Sequence, residues 1–146
     1  MFNIREATDL DIIKELFREY SKIQGAEACF VSFENELADL EKVYQDGALL
    51  VAYEDTVPIG CGAIKKISDN ECEMKRVFIK EEYRKKGYGY RLINEVCGKA
   101  SALGYKTIVL STIPTVMSQA YALYKLVGFT VKGSSDGIVS MIKDLP

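Results

Sequence analysis

The chain has 146 residues and a formal net charge of −2 at pH 7, with 48% hydrophobic and 27% charged residues. This length and composition predict one soluble globular domain over residues 1–146 and exclude a disordered tail. The sequence pI of about 5.3 argues against a general nucleic-acid binder, which would normally be basic.

The chain has four scattered cysteines and no histidine. None of the cysteines forms a C-x-x-C pair, so the sequence predicts buried thiols and no zinc or other metal site. The N-terminus has no apolar signal-peptide core, and no apolar run reaches about 18 residues, so we expect a cytoplasmic protein without a membrane span. Without histidine, acid–base chemistry near neutral pH must use a carboxylate, tyrosine, cysteine, lysine or bound water.

Apolar periodicity and turn residues predict the elements of the first half of the chain. A variant of the capping box, Thr8 with Asp11 three residues on, opens the first helix, and Gly25 ends it. The predicted elements are a strand over Phe2–Glu6, a helix over 9–23, a second helix over Phe33–Tyr44, and a hairpin of the strands Ala48–Tyr53 and Val57–Ile67.

The second half of the chain predicts a β-α-β unit followed by a helix and a strand pair. The elements are a strand over Glu71–Lys80, a helix over 88–103, a strand over Lys106–Thr112, a helix over Thr115–Leu126, and strands over Phe129–Lys132 and Ile138–Ile142. The order indicates a mixed α/β domain whose sheet is mostly antiparallel, with a right-handed β-α-β unit at its centre.

The turn Arg84–Gly89 joins the strand and helix of that unit. The first amides of a helix lack internal partners, and the helix dipole adds positive charge there, so the turn is suited to a phosphate or pyrophosphate. A P-loop is excluded, and a dinucleotide fingerprint would need glycine where Leu92 stands. The pattern is R-x-x-G-x-G, and a tight turn beside solvated cations remains the alternative.

Three segments carry a resemblance: "CEMKRVFIKEEYRKKGYGYRLI", "GYKTIVLST" and "AYALYKLVGF". In this order and spacing they are similar to the GCN5-related N-acetyltransferase (GNAT) superfamily, in detail over about Ile59–Phe129. The resemblance implies a single-domain GNAT-like fold. It also implies an acetyl-CoA-dependent N-acetyltransferase that moves an acetyl group to a primary amine by direct attack in a ternary complex.

The resemblance also implies where acetyl-CoA would bind. Backbone amides of the turn would hold the pyrophosphate, and the edge of the preceding strand would pair with the pantetheine arm. Many relatives carry an asparagine near the start of the last helix; here Ser118 or Gln119 would take its place. The implied cofactor-binding residues are Val77, Phe78, Ile79, Arg84, Lys85, Lys86, Gly87, Tyr88, Gly89, Tyr90 and Ser118.

Two residues are implied in catalysis. Tyr124 matches the tyrosine acid of the family, and a phenol that stays protonated at neutral pH can donate to the leaving thiolate. Glu73 matches the catalytic glutamate of the histone-acetyltransferase branch, and simple strand alternation places it on the face of Val77 and Ile79 unless a β-bulge intervenes. The alternatives are a helix-face aromatic for Tyr124 and an ion-paired strand residue for Glu73, with Glu71 or a water chain as the base.

The acceptor is not readable from the sequence. A small-molecule or peptide amine is expected, with no nucleic acid and no membrane as partner, and dimerisation is common in the family, so a homodimer is open. The alternative function is a non-catalytic CoA-binding or regulatory module on the same fold. A nucleotide-binding protein is a third reading, disfavoured by the missing third glycine and P-loop lysine.

Overall fold

The computed structural model describes residues 1–146, and its elements follow the predicted order except that one helix is split. The strands are β1 (Phe2–Glu6), β2 (Ala48–Glu54), β3 (Val57–Lys66), β4 (Glu71–Ile79), β5 (Thr107–Thr112), β6 (Thr130–Ser135) and β7 (Ile138–Asp144). The helices are α1 (Leu10–Ser21), α2 (Phe33–Ala38), α3 (Leu40–Val43), α4 (Tyr88–Ala102) and α5 (Ser118–Val127). No helix is both long and apolar enough to span a membrane.

The strands form one seven-stranded sheet in the order β1-β2-β3-β4-β5-β7-β6. Neighbouring strands are antiparallel except β4 and β5, which run parallel and are connected by α4. These two strands pair only over Glu71–Glu73 and Thr107–Val109 and then separate. The predicted fold, a mostly antiparallel mixed sheet with a central β-α-β unit, is confirmed.

Each face of the sheet carries its own hydrophobic core. The core on the α1 side includes Ile13 and Phe17, and the core on the α4 side includes Leu92 and Val96. Residues four apart lie on one face of a helix, so each pair turns one apolar side of its helix toward the sheet. The apolar periodicity that predicts the two helices therefore also orients them on the sheet.

The predicted start of α1 was wrong by one residue. The N-cap is Asp9 rather than Thr8, because the Asp9 carboxylate accepts a hydrogen bond from the Asp11 amide at 2.9 Å. A side-chain oxygen at the N-cap satisfies one of the free amides of the first turn. Aspartate and threonine both serve as N-caps. Because Thr8 and Asp9 are adjacent, the sequence alone does not tell which of them caps the helix.

The other helix boundaries moved for local reasons. The predicted helix over Phe33–Tyr44 is divided at Asp39, whose φ of −146° and ψ of 53° are not helical. Helix α5 begins at Ser118 instead of Thr115, because the amides of Val116 and Met117 both bond the Ile113 carbonyl and form a separate turn.

A bulge in β4 reverses which side chains face which core. Lys75 lies opposite Ala63 and Phe78 opposite Cys61, so one extra residue of β4 is accommodated between these pairs. Arg76 has a left-handed φ of 60° at this point. Such an insertion shifts the alternation of the strand by one.

The reversal corrects the predicted position of Glu73. Its neighbours Cys72 and Met74 lie in the α4-side core, so Glu73 faces the α1 side. Val77 and Ile79, beyond the bulge, pack with the α4-side core. The expectation that Glu73 shares a face with them was wrong, because the bulge changes the parity of the strand.

Candidate active site

A cavity of about 700 Å³ lies between the free end of β4, the start of α4 and helix α5. Its lining is mostly hydrophobic, with 13 apolar residues among 19. Such a channel suits a long ligand with an apolar body and a polar end. The predicted cofactor-binding residues that line it are Val77, Phe78, Ile79, Arg84, Lys85, Gly87, Gly89, Tyr90 and Ser118.

The turn before α4 presents unpaired backbone donors. The amides from Lys85 to Tyr90 donate to no acceptor within the protein, and the first bond of the helix runs from the Arg91 amide to the Gly87 carbonyl at 3.3 Å. Lys85 and Gly87 have left-handed φ values of 65° and 80°. Successive amides at a positive helix end form a site for an anion.

Arg84 is used differently from its neighbours in the turn. Its amide donates to the Glu81 carbonyl at 3.2 Å, and its Nε donates to the Ile79 carbonyl at 2.8 Å. Both groups therefore stabilise the turn itself. The donors free for a ligand start at Lys85, one residue later than the predicted range.

Lys86 and Tyr88 do not line the cavity with their side chains. The Lys86 ammonium lies 5.6 Å from the centre of the Tyr83 ring. The Tyr88 ring stacks on Phe2 at 4.1 Å, and its hydroxyl donates a hydrogen bond to Glu54. We therefore expect these two residues to contact a ligand mainly through their backbone amides.

The two glycines of the turn serve separate purposes. Gly87 has open space around its missing side chain but a φ of 80°, which glycine adopts at little cost. A Cβ at Gly89 would lie 3.0 Å from Cδ1 of Leu123, so Gly89 allows α5 to approach α4 closely.

The free stretch of β4 directs backbone groups toward the gap between the strands. The Lys80 amide donates to the Ile59 carbonyl of β3 at 2.8 Å. Alternate residues direct their backbone groups to opposite sides of a strand, so those of Ile79 point away from β3. Val77 lies two residues earlier and shares that direction. The strand edge can therefore pair with an extended ligand arm.

A second cavity of about 230 Å³ lies where β4 and β5 have separated, and residues of α1 and α5 also line it. Tyr20 and Val77 line both cavities, so the two spaces are neighbours. The other residues of its lining come from distant segments: Ala28, Cys29, Met74, Lys75, Arg76, Ser111, Tyr124 and Ile138.

Tyr124 lines this second cavity, and its hydroxyl is free of protein partners. The hydroxyls of Tyr20, Tyr44, Tyr88 and Tyr105 all donate to protein groups, whereas that of Tyr124 has no protein partner. No buried side-chain oxygen or nitrogen lacks a partner, so the Tyr124 hydroxyl must contact open space. Burial raises the pKa of Tyr124, and this phenol therefore stays protonated and able to donate at neutral pH.

Glu73, the predicted base, lines neither of these two cavities. It lies opposite Lys65 of β3 and Val109 of β5, at the last point where β4 and β5 are paired. Lys75, two residues later on the same face, does line the second cavity. Glu73 is thus one strand position removed from the space that Tyr124 faces.

Sequence reasoning missed a buried ion pair behind the second cavity. Arg76 donates through Nε and Nη2 to the two carboxylate oxygens of Glu36, at 3.0 and 2.6 Å. It also donates through Nη1 to the Cys29 carbonyl at 2.8 Å, and Tyr44 donates to Glu36 at 2.7 Å. These bonds hold the 3₁₀ turn Glu27–Phe30 beside the cavity. The sequence indicates this ion pair only by one feature: Arg76 alternates along the strand with Met74 and Phe78, which both face a core.

The electrostatics of the pair favour the ionised state. Burial acts to raise the pKa of Glu36, but the hydrogen bonds from Arg76 and Tyr44 outweigh it, so the pKa lies below its usual range. The Arg76 guanidinium also lies 4.3 Å from the centre of the Phe30 ring. Its positive charge is therefore compensated within the protein.

Comparisons with known proteins agree with this geometry. The model of the Acetyltransferase (GNAT) family matches residues 10–129. An uncharacterised N-acetyltransferase of Schizosaccharomyces pombe is 34% identical over 125 residues, which cover 83% of this chain and 76% of that protein.

Two solved structures share the fold over nearly the whole chain. The acetyltransferase from Streptococcus agalactiae has a TM-score of 0.80 at 21% identity, covering 99% of this chain and 98% of its own. The PaiA N-acetyltransferase from Thermoplasma acidophilum, in complex with coenzyme A, has a TM-score of 0.76 at 23% identity and covers 99% of both chains. The resemblance drawn from the motifs is therefore confirmed.

Proposed function

This chain belongs to the GNAT family of acetyltransferases, and we propose that it is an acetyl-CoA-dependent N-acetyltransferase acting on a primary amine in a ternary complex. The observation that carries the proposal is the pair of neighbouring cavities that share Tyr20 and Val77, beside the separated ends of β4 and β5. One offers free amides for an anionic cofactor, and the other offers a protonated phenol. A thioester in the gap would be open to an amine from the second cavity.

The larger cavity fits acetyl-CoA. The amides from Lys85 to Tyr90 would hold the pyrophosphate, and the β4 edge at Val77 and Ile79 would pair with the pantetheine arm. Ser118, at the first turn of α5, lines the same cavity and takes the place proposed for the family's asparagine. Coenzyme A bound to the PaiA relative supports this choice of ligand.

The residues of the second cavity suit the acid step of direct transfer. The neutral amine attacks the thioester carbonyl, a carbon–nitrogen bond forms, and the carbon–sulfur bond breaks with its electron pair on sulfur. The Tyr124 hydroxyl donates a proton or hydrogen bond to that sulfur. A backbone amide of the free β4 stretch stabilises the developing oxyanion.

The proton of the amine needs a second route. Glu73 is outside the cavity lining, so we propose that it receives this proton through water rather than directly. Its position on the face of Lys75 directs its carboxylate to the acceptor side of the sheet. A cytoplasmic location and a homodimer stay predictions.

An acceptor screen tests the function. Purified protein is incubated with acetyl-CoA and a panel of primary amines, and thiol release is compared with the rate without amine. We expect amine-dependent release together with the acetylated product by mass spectrometry. Binding of coenzyme A without amine-dependent release on any member would instead indicate the non-catalytic CoA-binding module.

A further inference from the structure

We propose that the acceptor is a small amino acid whose carboxylate binds the Lys75 ammonium while its amine lies beside Tyr124. The inference rests on the proposed function, because it names the class of amine taken by that same site. Lys75 and Tyr124 both line the second cavity, so one small molecule can contact both side chains.

The charges around the second cavity favour an anionic group on the acceptor. Its ten lining residues include two cations and no carboxylate. Arg76 is bonded through three of its nitrogens to Glu36 and to the Cys29 carbonyl. Lys75 is therefore the one charged side chain in the lining without a salt-bridged or hydrogen-bonded partner.

Lys75 itself has no partner in the protein. It forms none of the salt bridges, and its ammonium makes no hydrogen bond. Burial and the neighbouring Arg76 charge lower the pKa of Lys75, more than the attraction of Glu73 raises it. A partly desolvated cation that no carboxylate contacts directly is stabilised by a bound anion.

Ser111 of β5 provides a second polar group in the same lining. It stands on the far side of the gap from Lys75, since β4 and β5 separate between them. A serine hydroxyl can donate to one carboxylate oxygen while an ammonium binds the other. Lys75 and Ser111 together can therefore bind a carboxylate, whereas a second amine of the acceptor would be repelled by Lys75.

The size of the cavity limits the acceptor. Small-molecule sites usually have volumes of about 300–1,000 Å³, whereas this cavity has about 230 Å³. An amino acid fits such a space better than a bulky polycation. A polyamine or aminoglycoside would also bring further cations against Lys75 with no carboxylate in the lining to receive them.

Matched acceptors isolate the carboxylate. The common amino acids are compared with their primary amides and with the amines that remain after removal of the carboxyl group. A charge-assisted hydrogen bond predicts kcat/KM about 10- to 100-fold higher for the acids. The Lys75→Gln variant should reduce this preference to within about threefold, mainly through KM, and Lys75→Glu should favour the decarboxylated amines.

The controls separate recognition from folding and from charge in general. Lys132→Gln removes an equal charge from exposed strand β6, and it should leave the preference unchanged. Thermal unfolding and coenzyme A affinity of both Lys75 variants should match those of the native chain.

The outcomes distinguish this inference from the proposed function. Equal turnover of acids, amides and decarboxylated amines would overturn the role of Lys75 and leave an N-acetyltransferase. An undiminished acid preference in Lys75→Gln would do the same. Coenzyme A binding with no transfer to any amine would overturn the proposed function, and this inference with it.

Discussion

The two cavities beside β4 are built from different parts of the chain. The larger one presents backbone amides from the single turn Lys85–Tyr90 and a strand edge. The smaller one presents side chains from segments far apart, including Cys29, Lys75, Ser111 and Tyr124. On the proposed function, local backbone geometry holds the cofactor, whereas acceptor choice depends on side chains that only tertiary packing assembles.

Removing the phenol of the smaller cavity should give the largest effect. Tyr124→Phe keeps the ring that packs against Phe129 at 5.8 Å and deletes only the hydroxyl. Loss of a general acid predicts a fall in kcat of about 10²- to 10⁴-fold, with coenzyme A affinity within twofold. Steady-state kinetics and titration calorimetry measure the two quantities, and an unchanged kcat would rule out the acid role.

Breaking the buried ion pair between Arg76 and Glu36 should have the next largest effect, on stability. Arg76→Met leaves Glu36 buried without its main partner, and removal of one member of such a pair costs about 3–5 kcal/mol of unfolding free energy. Arg18→Met is the matched control, because the Arg18–Glu34 pair at 3.9 Å is exposed, and we expect a loss of less than about 1 kcal/mol. Denaturant unfolding that gives equal losses would contradict the comparison.

The same pair fixes the sign of the pH dependence. The pKa of Glu36 is lowered in the folded state, so its contribution is present above its unfolded pKa of about 4.3 and is lost as pH falls through the lower folded value. The stability gap between the native chain and Arg76→Met should therefore be widest near pH 7 and narrow below about pH 4. If the difference in unfolding free energy between the two proteins does not change with pH, the ionisation of Glu36 does not contribute to stability in this way.

Changing the backbone of the larger cavity should have a moderate effect. Gly87→Ala places a Cβ at a φ of 80°, a strained conformation costing about 1–2 kcal/mol. The free turn can relieve this strain by moving its amides, and a ligand must restore their position, so coenzyme A should bind about tenfold more weakly. Gly98→Ala in α4 is the matched control, since its Cβ meets open space, and it should keep the affinity unchanged. The Lys86→Ala variant should also bind coenzyme A with normal affinity. A tenfold loss of affinity in that variant would show that side-chain charge, rather than backbone amides, holds the anion.

The proposed water-mediated base should have the smallest effect. Glu73→Gln keeps the shape of a side chain that lies outside the cavity lining. We expect kcat to fall by no more than about tenfold, less than for a base in direct contact. The rate of acetyl transfer is measured by pre-steady-state kinetics. A decrease in this rate as large as that of Tyr124→Phe would indicate that Glu73 contacts the amine directly.

The sequence predicted much of the larger cavity because its parts are close along the chain. Arg84–Tyr90 carry the R-x-x-G-x-G pattern, the strand precedes it, and the helix follows it. The family, the fold and an acetyltransferase are confirmed from these contiguous signals. The use of Arg84 to brace the turn was missed, because a hydrogen bond to Ile79 depends on how the turn folds back.

The smaller cavity could not be predicted, because its lining depends on how distant segments fold together. The bulge at Arg76 reversed the alternation that simple periodicity gives and moved Glu73 to the opposite face. It also aimed Arg76 at Glu36, a residue 40 positions away in the sequence. The turn Arg84–Tyr90 could be predicted from the sequence, because local backbone conformation follows local residues. The charge of the smaller cavity depends on strand register and long-range pairing, which no short pattern contains.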